Sequence, residues 1–190
     1  MTAEQECLPP TGRGRPAARP DGFYQPDPPS GPVRDGDGVL QVAFAGEDGR
    51  TRLYSFDGLP LPGMHEDLGA AFTQRTGPAG TRRTLASANF TWFKLGGMLR
   101  FLAGLPLPPQ DLAALRRSHL KRLRRHRILT GQPLTVTHEM AEIFGLLRDA
   151  DQRRLRPEVT ELICQRGHHL GEDTRPGLPG YSDREYGGAC

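Results

Sequence analysis

The sequence predicts a mainly α protein, a small bundle of four or five helices preceded by a β-hairpin and a disordered tail. Three observations carry this. Apolar residues recur at spacings of three and four over residues 59–166, the period of a helix with one buried face. Just before them, two β-prone runs flank a Gly- and Asp-rich turn. Residues 1–36 hold eight prolines and five glycines with almost no aliphatic side chains, too little apolar area to offset the entropy of ordering.

The elements follow in order. Val39–Phe44, the turn Gly46–Gly49 and Thr51–Phe56 read as a hairpin over 37–58, which needs an apolar partner because a lone hairpin is marginal in water. From Leu59 the period is helical. Met64, Leu68, Ala71 and Phe72 form the first stripe, ended by Gly77-Pro78. A segment from about Arg82 to Leu105 follows, with Leu85, Ala88, Trp92, Leu95, Leu99 and Leu102 in one stripe and Phe90 and Phe101 across from it. Apolar on more than one side, it reads as the central helix. After the prolines at 106–109 come a short helical turn at Asp111–Leu115, then Ser118 as N-cap of a helix His119–Leu129. There Leu120 and Leu123 point inward and Lys121, Arg122 and Arg125 outward. Gly131 and Pro133 break the chain before the stripe Val136, Met140, Ile143 and Leu147, and Pro157 opens a last helix through Cys164. The bundle thus spans 59–167, leaving 168–190 as a linker.

No apolar run approaches the ~20 residues of a membrane span, and the first residues lack the basic-then-apolar order of a secretory signal. A cytoplasmic protein, nucleoid-associated when on DNA, is expected. Three cysteines, Cys7, Cys164 and Cys190, argue against a disulfide framework. Cys164 with His168 and His169 offers only three metal ligands, so an idle or buried thiol is the better reading. No cofactor box is present in the stripes.

The net charge of +3 conceals segregation. Residues 68–138 hold twelve Lys/Arg (Arg75, Arg82, Arg83, Lys94, Arg100, Arg116, Arg117, Lys121, Arg122, Arg124, Arg125 and Arg127) against Asp111 alone, a local +11. The flanks carry −5 and −3. Such a field attracts polyanions. Arg outnumbers Lys 23 to 2, which suits phosphate and guanine edges but also follows from GC-rich coding.

The run Thr84-Leu-Ala-Ser-Ala-Asn-Phe-Thr-Trp-Phe-Lys-Leu-Gly-Gly-Met-Leu-Arg-Phe-Leu102, entered by Arg82-Arg83 and followed by Pro108-Pro-Gln-Asp-Leu112 and Ser118-His-Leu120, resembles the second helix and its context in the core-binding (SAM-like) domain of tyrosine recombinases, the phage-integrase family. Residues 166–186 are similar to the interdomain linker and first catalytic-domain helix of actinobacterial-type integrases, so the resemblance spans about 53–186. It implies one half of a clamp on double-stranded DNA. The family's catalytic domain, with its arginines, lysine, His-x-x-Arg pair and tyrosine nucleophile, would begin where this chain stops, so a truncated recombinase without catalytic residues is expected, and no enzyme. His119-Leu-Lys-Arg122 is literally His-x-x-Arg but sits in the basic helix, and Tyr181 and Tyr186 have no evident activating group.

On this reading Arg82, Arg83, Lys94, Arg100, Lys121, Arg122, Arg124 and Arg125 contact phosphates, and Thr84, Ser87 and Asn89 contact groove edges. The same residues leave open a protein-contact module that pairs with a full-length recombinase, an inert remnant, and a small helix-turn-helix-like repressor. No metal, cofactor or membrane partner is expected.

Overall fold

Residues 31–131 and 133–164 are described by a computed structural model. Within them the chain forms strands β1 (Val33–Arg34), β2 (Leu40–Ala45) and β3 (Thr51–Ser55), then helices α1 (His65–Thr76), α2 (Leu85–Ala103), α3 (Arg117–Thr130), α4 (Pro133–Asp149) and α5 (Pro157–Cys164). The fold is mainly α with a small antiparallel sheet. The expectations for residues 1–30, the linker 168–190, Tyr181, Tyr186, His168 and His169 lie outside the described residues.

The sheet has the order β1-β2-β3. In β2 the alternation of Leu40, Val42 and Phe44 puts all three on one buried face, joined by Tyr54 and Phe56 from the neighbouring strand. Those rings meet the helices. Trp92 of α2 lies 5.0 Å from Tyr54, 4.9 Å from Phe56 and 5.3 Å from Phe72, centroid to centroid. Gly69 of α1 lets the sheet close on that helix, since a Cβ there would press on Leu40, Pro32 and Phe56. The hairpin therefore has the apolar partner it needs.

Several expectations are corrected. β1 falls inside the span read as a disordered tail; it pairs with Leu40–Gln41 and is tied to α1 by an exposed Arg34–Glu66 ion pair of 2.6 Å. Asp111–Leu115 is a turn rather than a helix. The Asp111 carboxylate accepts from the Ala114 amide (2.7 Å), and Leu112 and Leu115 are sent into the core. α3 is capped at Arg116, not Ser118, and α2 begins at Leu85 behind Thr84. Pro133 opens α4 instead of interrupting the chain, a position where its missing N–H removes no helical bond. α2 does touch α1, α3, α4 and the two longer strands, but α4 shares the centre by packing on all four other helices. Cys164 is disulfide-bonded to a residue outside the described ones, contrary to the reading of idle thiols. No helix among the described residues is long and apolar enough to cross a membrane.

Candidate nucleic-acid interface

α4 carries two buried glutamates one turn apart, and they account for much of the basic stretch. The Glu142 side chain is 1% exposed. It accepts from Arg75 Nε at 2.8 Å, from Arg82 Nε at 3.0 Å and from the Thr91 hydroxyl at 2.6 Å, with Arg82 Nη2 closing the cluster. Burial pushes its carboxyl up, but hydrogen bonds from Arg75, Arg82 and Thr91 outweigh that and hold it at about 2. Arg75 also reaches Asp149 at 2.9 Å. Its guanidinium lies against α4 because residue 145 is glycine; a Cβ there would fall within 2.2 Å of Arg75 Nη2.

Glu139 does the same one turn earlier, pairing with Lys94 of α2 at 3.3 Å and Arg127 of α3 at 3.0 Å. Arg127 passes α2 at Gly97, where a Cβ would come within 2.9 Å of its Nη2. Four of the twelve cations are thus neutralised by acids that begin one residue beyond the basic stretch. The sequence held a signal for this, since Glu139 and Glu142 each sit beside a position of the Met140–Ile143 stripe.

The N-terminus of α2 is equally engaged. Thr84 and Ser87 form a reciprocal capping box. The hairpin tip docks there. Glu47 pairs with Arg83 (2.6 Å) and its amide donates to the Arg83 carbonyl (2.8 Å), while the Asp48 carboxylate accepts from the Leu85 amide (3.1 Å). Asn89 Oδ1 accepts from Arg52 (2.9 Å) and from the Tyr54 hydroxyl (2.7 Å); burial pushes the Tyr54 phenol up, so it remains a donor. Of the expected contact residues, Arg82, Arg83, Thr84, Ser87, Asn89 and Lys94 therefore hold the fold together here, because each finds a partner brought in by tertiary packing.

α3 differs. Leu120 and Leu123 are fully buried, whereas Lys121, Arg122 and Arg125 are exposed and Arg124 is half-buried. Positions 118, 121, 122, 125 and 129 share one outward face. None of Arg116, Lys121, Arg122, Arg124 and Arg125 makes an ion pair among the described residues. Arg100 is also exposed and unpaired in that sense, but it lies elsewhere. Its guanidinium folds back over Gly96 beside Leu59, while Gly97 and Phe101 are the α2 positions that meet Arg127 and His126 of α3.

His119 is spent on capping. Its Nδ1 accepts from the Arg116 amide at 3.2 Å, which requires the unprotonated nitrogen. Burial and the positive charges of Arg116, Arg122 and Arg156 hold its pKa below the ordinary value, against an opposing contribution from Glu158. The His-x-x-Arg spacing at 119–122 thus places a neutral capping imidazole beside an exposed arginine. No group of three or more potential metal ligands occurs among the described residues. No family model, no curated protein and no solved structure matches the chain.

Proposed function

We propose that this chain grips double-stranded DNA through the outward face of α3, as the core-binding domain of a truncated site-specific tyrosine recombinase that contributes no catalytic residue of its own. The observation that carries this is the contrast among the cations. Those on α1, α2 and the inner side of α3 are consumed by Glu139, Glu142, Asp149 and Glu47, whereas Lys121, Arg122, Arg124 and Arg125 stand together on one helix without an acidic partner among the described residues. Phosphate contact of this kind gives affinity and register with little sequence choice. The resemblance of residues 84–102 and 166–186 to integrases supplies the recombination context.

The test is fluorescence anisotropy of the full chain on unrelated labelled duplexes across a salt series. About four phosphate contacts should give a log–log salt slope of about −4 on every duplex. Lys121→Ala with Arg125→Ala should flatten it by about 2. No binding at low salt would remove the DNA reading. A second reading, contact with another protein such as a full-length recombinase, is favoured by one feature. Phe90 and Phe93 of α2 are 41% and 70% exposed, with the Lys94 ammonium 5.3 and 5.4 Å from their ring centres. Phe93→Ser would then abolish recombinase pull-down and leave the salt slope unchanged.

A further inference from the structure

We propose that the phosphate-gripping surface does not end with α3 but continues onto Arg156, the residue leading into α5, which with Arg116 and Arg122 takes a backbone phosphate at the α3–α5 junction. This rests on the DNA-binding reading above and extends it to two arginines that the sequence did not single out, one of them far outside the basic stretch.

The geometry begins with an anchor. Arg156 Nε donates to the carbonyl of Ala113 at 2.8 Å, in the turn that delivers the chain to Arg116 and α3. That bond fixes the guanidinium at the mouth of α3 across 43 residues of sequence. The side chain remains exposed and makes no ion pair among the described residues. Arg116 and Arg122 are likewise exposed and unpaired in that sense, and all three act on the same imidazole, His119. The only acid facing it is Glu158, which is already committed to the Arg117 amide at 3.4 Å. With the Arg116 amide bonded to His119, the main-chain donors here are taken. What is left over is guanidinium charge, and a phosphate oxygen is the acceptor that suits guanidinium forks.

The experiment uses the full chain on a labelled duplex in a salt series, with Arg156→Gln, Arg156→Lys and, at the hairpin tip far along α2, Arg50→Gln. Arg156→Gln should flatten the slope by about 1, while Arg156→Lys and Arg50→Gln leave it as in the parent. An unchanged slope in Arg156→Gln, with Lys121→Ala still lowering it, overturns the extension and spares the DNA reading. Equal flattening by Arg50→Gln would mean that net charge alone is sensed, and also overturns it. A parent chain that fails to bind removes the reading and the extension together. If Arg156→Gln does not fold, NMR titration of His119 in the unaltered chain decides. A phosphate among Arg116, Arg122 and Arg156 offsets their charge and moves the His119 pKa up toward its ordinary value, whereas an unmoved His119 in the saturated complex overturns the proposal.

Discussion

Glu142 is a single carboxylate on which three helices converge, and its chemistry sets the acid stability of the fold. Its folded-state pKa is held at about 2 by Arg75, Arg82 and Thr91, below that of an exposed glutamate. A depressed carboxyl contributes stability that is present above the unfolded value and lost as pH falls through the folded one. Denaturant midpoints should therefore drop between about pH 4.5 and 2, and much of that drop should vanish in Glu142→Gln. At neutral pH that variant leaves Arg75 without its main partner and should lose roughly 3 kcal/mol, the cost typical of breaking a buried pair. Gly145 tests the same cluster from the other side. Alanine is favoured over glycine within a helix by about 1 kcal/mol, yet its Cβ would occupy the place of the Arg75 guanidinium. Gly145→Ala should lower the melting temperature in the parent chain and raise it in an Arg75→Met background, where the guanidinium is gone. That reversal of sign separates displacement of Arg75 from any general intolerance of α4.

Among the elements, α3 is the one whose surface works against its own stability. Lys121 and Arg125 are one turn apart, as are Arg117 and Lys121, and like charges at that spacing destabilise a helix by a few tenths of a kcal/mol per pair. Lys121→Gln with Arg125→Gln should therefore leave thermal stability unchanged or slightly higher while DNA affinity falls. Lys94→Gln should do the opposite to stability, because it leaves buried Glu139 with Arg127 alone. Thermal melts and anisotropy on the same variants distinguish cations that hold the fold from cations free to hold a ligand. The helix period marked Leu120 and Leu123 as inward and Lys121, Arg122 and Arg125 as outward without any structure, because 3.6-residue geometry is local. It offered no means of telling Arg124 from Arg127, since the difference lies in which residue of α4 stands opposite.

Across the whole molecule the sheet and the bundle share one core, and Trp92 sits at their seam among Tyr54, Phe56 and Phe72. Its fluorescence reports on sheet docking and far-UV circular dichroism on the helices, so coincident denaturant transitions are expected; a separate, earlier Trp transition would show the hairpin to be an independent unit. The sequence by itself determined the order of elements, the hairpin turn, the stripes of four of the helices and the proline-led start of α5. These follow from side-chain period and backbone preference, which act between neighbours in the chain. It also placed a strong positive charge in the middle third. Only the tertiary structure decided what that charge does. Glu142 reaches Arg75 and Arg82 across 67 and 60 residues, Asn89 is filled by Arg52 and Tyr54 from the hairpin, and Arg156 is set beside α3 by the carbonyl of Ala113. Ion pairing depends on distance in space rather than separation along the chain. A count of charges in a window therefore finds the basic region, but folding leaves only one helix of it, and its neighbour on α5, turned outward.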